Sequence, residues 1–205
     1  MAERCLPDVL VIEETKLNED FKTELFVMNN YQYPMRRDRN EFGGGIMQYV
    51  RKGVVCNRIT AYETQNVESI CSELIISKKR RMIFAVYRPP DSANLNCFFN
   101  ELSNSVNLAL EKYDNIIVFG DFNVDTQNEQ HPGYNKFKSF SDLMGLHNLV
   151  KEKTCFTKNH ASSIDVFLTN SAMALTVSFR SFGHSLSAHL LVHLIMCFPI
   201  IVVFA

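Results

Sequence analysis

Between Asn115 and Asp125 the chain reads NIIVFGDFNVD, and the first half of that stretch limits the fold more than any other. Ile116 to Phe119 are four large apolar residues in succession, bounded on both sides by polar ones. Too short for a helix and without a polar alternate, the run predicts a strand buried on both faces. It stops at Gly120, whose missing Cβ lets a metal, a ligand or another strand approach the backbone closely. Asp121 and Asn123 follow two residues apart, on one side of an extended chain, while Phe122 anchors the other. A carboxylate beside a carboxamide suits a phosphoester: the first accepts from water or a cation, the second donates to a phosphate oxygen. The same pair also reads as an Asx-type turn after a strand, and this stretch alone leaves both readings open.

The rest of the chain supplies the neighbours such a strand requires. Asp8 to Ile12 is another buried-strand run, and it leads into Glu13, Glu14, Thr15 and Lys16, so acidic residues again sit just past a strand's end. Glu24 to Met28 predicts a short strand, followed by an irregular, basic and aromatic segment from Tyr31 to Arg39. Gly43-Gly44-Gly45 lack the Lys-Ser/Thr of a phosphate loop and predict a bend before the strand Ile46 to Val50. A turn at Lys52-Gly53 leads to a further strand, Val54 to Thr60. Glu68 to Ser77 and Arg81 to Arg88 predict a hairpin closed by the basic turn that begins at Lys78. Its second strand carries Ile83, Ala85 and Tyr87 on one face and Met82, Phe84 and Val86 on the other. Pro89-Pro90 ends it, which fixes Tyr87 and Arg88 at the strand end; a tyrosine there ordinarily keeps a wet hydroxyl. Helical periodicity runs from Asn94 to Lys112, with Ser92 or Asn94 as the cap, and again from Gly133 to Met144, with Gly145 as the stop. Asn148 to Val150, Ile164 to Leu168, Leu175 to Phe179 and Leu190 to Ile195 predict the remaining strands. Strands outnumber helices and do not alternate strictly with them, which favours a layered α/β sandwich over a doubly wound parallel sheet.

Composition matters for the choice of partner. A net charge of −1 over 205 residues gives no overall basic field, so contact with nucleic acid must come from local patches. Arg36-Arg37-Asp38-Arg39 and Lys78-Lys79-Arg80-Arg81 are the two candidates. The six cysteines are scattered without a Cys-x-x-Cys pair, and Cys155 and His160 lack a second pair to complete a zinc site, so reduced thiols are expected. Met1 to Pro7 is polar and too short for a signal peptide. At the other end, Leu190 to Ala205 is apolar apart from His193 and Pro199. A spanning helix needs about 20 apolar residues, so the reading is one domain over residues 1–196 and an apolar tail, 197–205, with a membrane tail anchor as the alternative.

With these residues placed, the order of motifs resembles the endonuclease domain of non-LTR (LINE-type) retrotransposons, in the DNase-I-like exonuclease–endonuclease–phosphatase superfamily. The stretches that carry the resemblance are DVLVIEETKL, GGGIMQYVRKGV, FAVYRPP, VFGDFNVD, SSIDVFLTN and, weakly, SLSAHLLV. It implies a four-layered α/β sandwich, two β-sheets face to face with helices outside. By position it implies Glu14 as the Mg²⁺ ligand, with Mn²⁺ able to replace the ion. Tyr87 would donate to the scissile phosphate, Asp121 would orient or deprotonate the attacking water, and Asn123 would hold a phosphate oxygen. His189 would contact the phosphate in a tautomer set by Asp165, with Arg88 as a substrate-binding residue. DNA is the implied partner, with no small-molecule cofactor, in the nucleus or cytoplasm.

Three departures accompany the match. No asparagine precedes Asn18, although the family opens on a strand carrying one. The closing Ser-Asp-His reads Ser187-Ala188-His189, and the polar ending is replaced by the apolar tail. The expectation is a domain truncated at both ends and incomplete at its N-terminus. An Mg²⁺-dependent endonuclease, a catalytically impaired remnant with at most weak DNA binding, and a tail-anchored membrane protein are the functions it leaves open.

Overall fold

The computed structural model describes residues 6–76, 78–90 and 94–171, together with the backbone of 176–180, 191–195 and 200–204. In chain order the strands are β1 (Val9–Glu13), β2 (Met35–Arg37), β3 (Ile46–Val50), β4 (Val55–Arg58), β5 (Glu68–Ile76), β6 (Lys79–Tyr87), β7 (Ile116–Asp121), β8 (His147–Asn148), β9 (Cys155–Phe156), β10 (Ala161–Ser162), β11 (Asp165–Thr169), β12 (Thr176–Arg180), β13 (Leu191–Ile195) and β14 (Ile200–Phe204). Helix α1 (Leu95–Leu110) joins β6 to β7, and α2 (Tyr134–Leu143) lies between β7 and β8. One six-stranded sheet has the order β12-β13-β14-β1-β3-β2, and a second has the order β4-β5-β6-β7-β11-β8.

The alternation of side chains in β6 and β7 decides how these layers stack. Ile83, Ala85, Tyr87, Ile117 and Phe119 turn towards β1 and β3 and meet Val9, Val11, Ile46 and Val50 between the sheets. Met82, Phe84, Val86, Ile116 and Val118 turn the other way and pack under the two helices through Phe98, Phe99, Leu102, Val106, Phe137 and Phe140. Both faces of the central strands are thus covered, as their unbroken apolar runs require. Phe122, just past β7, is fully buried and edges against Phe98, Phe99 and Phe137 with ring centroids 5.3, 6.1 and 6.3 Å away. The outer face of the first sheet is covered by Phe26, Met28 and Tyr31 rather than by α1 or α2.

Several expectations change. Glu24 to Met28 is not a strand: Thr23–Phe26 forms a 3-10 turn with no buried residue, and the segment lies over the sheet face through Phe26 and Met28 while Leu25 and Val27 stay exposed. Its Phe26 carbonyl instead accepts the Tyr49 hydroxyl at 2.8 Å. The hairpin turn is tighter than the basic run suggests, since Lys78 takes a left-handed φ of 62° and Lys79, Arg80 and Arg81 join the ladder opposite Ile76, Ile75 and Leu74. Arg80 pairs with Glu73 and stacks over Tyr113, while Arg81 is buried, so this patch is structural rather than a phosphate clamp. The short strands β2, β9 and β10 have no sequence signature. Asn94 is the residue before α1, with no side-chain cap bond; Ser92 lies outside the described residues.

The apolar tail contributes backbone to the first sheet. Ile200–Phe204 pairs parallel with β1 and antiparallel with β13, so β1 has a strand on each side, β14 and β3. Among the described residues no helix is long and apolar enough to cross a membrane.

Candidate active site

Three apolar stripes that face the space between the sheets end in a polar residue. Val9 and Val11 are followed on the same face by Glu13, and Ile117 and Phe119 by Asp121. In β6, Ile83 and Ala85 are followed by Tyr87. Across the ladders, Asp165 stands opposite Asp121 and Glu68 opposite Tyr87. Period-two geometry therefore brings Glu13, Glu68, Tyr87, Asp121 and Asp165 to one rim of the sandwich although they lie far apart in sequence.

Glu13 is the residue that sequence reasoning passed over in favour of its neighbour. It is fully buried, and its Oε2 accepts the Asp121 backbone N–H at 2.9 Å, tying the first sheet to the second. Its Oε1 has no hydrogen-bond partner among the described residues. Burial raises its pKa well above the ordinary glutamate value, and the nearby carboxylates of Asp121, Asp165 and Glu68 push in the same direction, against the lowering effect of the Asp121 N–H. The protonated form is thereby favoured over the carboxylate. Room for it comes from Gly120: at its φ of 139° a Cβ would lie 2.0 Å from the Val86 carbonyl oxygen and 2.4 Å from Glu13 Oε1. The close approach that Gly120 permits is thus to another strand and to this carboxyl. The signal was available in the alternation Val9, Val11, Glu13.

Glu14 leaves the strand in a left-handed conformation, φ 56°, uncommon for a residue with a Cβ. The following residues are pinned to the glycine bend: the Thr15 and Lys16 amides donate to the Gly45 and Gly44 carbonyls at 3.3 and 2.9 Å. The reversal aims Glu14 at the Tyr87 hydroxyl, which hydrogen-bonds it. Tyr87 is only 3% exposed, so the expected wet hydroxyl is replaced by a buried one. Burial first, then Glu14 and Asp121, raise its pKa and keep it a proton donor. The Arg39 guanidinium lies over its ring, 5.8 Å from the centroid, and is held by Glu68 at 2.8 Å and by the Gly43 carbonyl.

Asp121 and Asn123 satisfy both readings of the sequence at once. Asp121 Oδ1 accepts the Asn123 N–H at 2.7 Å, and Oδ2 accepts from Asn123 Nδ2 at 3.1 Å, with Asn123 at φ 47°. This is an Asx turn, and it is also what holds carboxylate and carboxamide side by side. Asn123 Nδ2 donates in addition to the Arg88 carbonyl at 2.8 Å. Arg88 is buried, and its Nε and Nη2 donate to the Phe122 and Asn123 carbonyls at 2.6 and 2.8 Å. What it offers a substrate in these contacts is the placement of the turn. Asp165 is fully buried and its amide donates to Thr154 Oγ1 at 3.2 Å. Glu14, Tyr87, Arg88, Asp121, Asn123 and Asp165 thus converge, while His189 and Ala188 lie outside the described residues.

Beside this rim opens a cleft of about 380 Å³ that Arg37, Arg39 and Arg88 line together with Asp38, Glu68 and Asn66. Among the described residues no group of three His, Cys, Asp or Glu side chains is placed to hold a metal ion. Glu14 is a hard-oxygen donor of the kind that Mg²⁺ takes, an ion held by one or two carboxylates with water and substrate phosphate completing its shell.

A family model described as endonuclease-reverse transcriptase matches residues 82–193, more than half of the chain. No curated protein matches the sequence. Among solved structures, the endonuclease domain of TRAS1, a telomere-specific non-LTR retrotransposon, aligns with a TM-score of 0.69 and 13% identity over 90% of this chain and 95% of that one. The 3′ phosphatase NExo from Neisseria, solved bound to product DNA hairpin, aligns with a TM-score of 0.66 and 19% identity over 90% and 86%. The human Nocturnin catalytic domain, solved with a bound sulfate anion, aligns at 0.59 and 18% over 91% and 79%. At such identities the likeness is one of fold, the α/β sandwich of the endonuclease/exonuclease/phosphatase superfamily.

Proposed function

This chain belongs to the endonuclease-reverse transcriptase family, and from that premise we propose that it is a DNA endonuclease of non-LTR retrotransposon origin that hydrolyses phosphodiester bonds with Mg²⁺. The observation that carries the reading is the meeting of a protonated tyrosine, a glutamate and the Asp121–Asn123 pair at the end of the inter-sheet core. Glu14 would hold Mg²⁺, or Mn²⁺ in its place, and the ion when bound supplies Lewis-acid polarisation of the phosphate. Tyr87 donates its hydroxyl proton to a phosphate oxygen, exchanging the Glu14 carboxylate for the substrate. Asp121, already oriented by Asn123, accepts a hydrogen bond from the attacking water and takes its proton. Asn123 Nδ2, whose two hydrogens go to the Arg88 carbonyl and to Asp121 Oδ2, would hold a non-bridging oxygen by exchanging the longer of these contacts, the one to Asp121, for the substrate. By the family resemblance Asp165 would orient the imidazole of His189, which lies outside the described residues, and Arg88 keeps the Phe122–Asn123 turn in place. The substrate puts the site of action in the nucleus or wherever DNA is reached.

The test is conversion of supercoiled plasmid to open circle in Mg²⁺ against EDTA, with Asp121→Ala as the blank. Nicking that needs the cation and disappears in the blank is expected. Equal nicking by the blank, or none by either protein at any concentration of cation, would refute it. The second outcome would identify the chain as an impaired remnant of the same family, the alternative that Ser187-Ala188-His189 leaves open.

A further inference from the structure

Phe42 is 87% exposed, the highest exposure of any large apolar side chain among the described residues. It sits at the tip of a turn that is braced rather than loose. The Phe42 amide donates to Asn40 Oδ1 at 3.1 Å, the Gly43 amide to the Asn40 carbonyl at 3.4 Å, and Arg39 Nε to the Gly43 carbonyl at 2.8 Å. Arg39 is in turn fastened to Glu68 and lies over Tyr87. The ring is therefore presented to solvent from a fixed base.

Its position relative to the chemistry is the second fact. A Cβ on Gly43, the next residue, would stand 3.7 Å from Glu14 Oε2. Three residues before Phe42, Arg39 lines the cleft with Arg37 and Arg88. Three guanidinium groups face two carboxylates, Asp38 and Glu68, along that cleft, and this excess of positive charge suits a phosphate backbone better than an apolar partner. An aromatic ring at the border of such a cleft has a specific use on nucleic acid, because every base offers a π face whatever its sequence.

We propose that Phe42 is a substrate-contact residue whose ring stacks on, or wedges beside, a base of the DNA next to the phosphodiester that is cut. The proposal rests on the reading of the chain as a DNA nuclease and adds the element that fixes the duplex over Glu14 and Tyr87. Insertion of an apolar side chain beside a base step unstacks it and favours flexible steps. Phe42 would thus bias cleavage towards deformable sequence without reading any base edge.

The chain contains no tryptophan, so Phe42→Trp introduces a single indole reporter at the tip, where exposure makes the change harmless to folding. The experiment titrates that variant with a short DNA duplex in EDTA, reads indole emission, and in parallel reads anisotropy of labelled duplex with wild type, Phe42→Ala and Phe42→Leu. Saturable quenching at the concentrations where anisotropy rises, with binding by Phe42→Ala weakened roughly tenfold and by Phe42→Leu less, is expected for one lost stacking contact. Duplex binding with unchanged indole emission and equal affinity for wild type and Phe42→Ala overturns the assignment of Phe42 while leaving the nuclease reading intact. Absence of duplex binding by every form overturns both. Emission that changes with protein concentration alone would show that the ring meets a second copy of the chain, and would also overturn the proposal.

Discussion

Replacing Glu13 by glutamine separates the two things that this carboxyl does. Glutamine keeps an oxygen to accept the Asp121 N–H and puts an amide where Oε1 now stands, close to the Val86 carbonyl that borders the same space. It cannot ionise. In the wild type the acid's pKa is raised by burial and by neighbouring carboxylates, so the folded state keeps a proton that the unfolded chain has already lost. The sign follows: the contribution is fully present below the unfolded value near 4.5 and is lost as pH rises towards the folded value. Within that window wild-type stability falls by about 1.4 kcal/mol per pH unit from this group alone. Glu13→Gln removes the slope, so its advantage over wild type widens steadily with pH. Glu13→Ala instead leaves the Asp121 amide without its acceptor, at a cost of about 1–3 kcal/mol before any cavity term. Urea unfolding in EDTA between about pH 5 and about pH 8, with the three proteins side by side, reads both effects. Parallel pH profiles for wild type and Glu13→Gln would refute the neutral acid, and a harmless Glu13→Ala would refute the tie between the sheets.

Tyr87→Phe should leave folding intact, because the ring and its contact with Arg39 remain, and should lower kcat for plasmid nicking by roughly 10²-fold with KM little changed, as for loss of one donor aimed at developing charge; an unaltered kcat would remove Tyr87 from the chemistry. Gly120→Ala should destabilise the protein by about 3 kcal/mol or more in urea unfolding, since a methyl group 2.0 Å from the Val86 carbonyl oxygen and a strained φ act together. Wild-type stability in that variant would show that the strands move apart at little cost.

The layered fold was legible because its central strands advertise it. Ile116–Phe119 and Met82–Tyr87 have no polar alternate, and only a structure with cover on both faces accommodates them. Most of the site was legible for the same reason, since residues past a buried strand's end reach the rim together. Glu13 was missed although the parity of Val9 and Val11 points to it, because a buried carboxyl runs against ordinary expectation and only the three-dimensional neighbourhood shows why it stays neutral. The Glu24 to Met28 segment misled for the opposite reason: its apolar residues have strand propensity, but Phe26 and Met28 pack on the face of the first sheet, and pairing, not propensity, makes a strand. Arg88 was expected at a strand end as a substrate-binding residue, and only the fold shows that its Nε and Nη2 go to the carbonyls of Phe122 and Asn123.

The parallel pairing of β1 with β14 sets an order of events on the ribosome. Residues 9–13 carry Glu13 and lead into Glu14, but one of their two sheet neighbours is built from residues 200–204, nearly the whole chain away. Contacts of such sequence separation form late, because the loop between them must be closed first. The second sheet, whose neighbours β5, β6 and β7 follow closely in the chain, can assemble while synthesis continues. The candidate-site residues of that sheet, Tyr87 and Asp121, would then wait for β1 to deliver Glu13 and Glu14, and the rim stays unfinished until residues 200–204 have emerged.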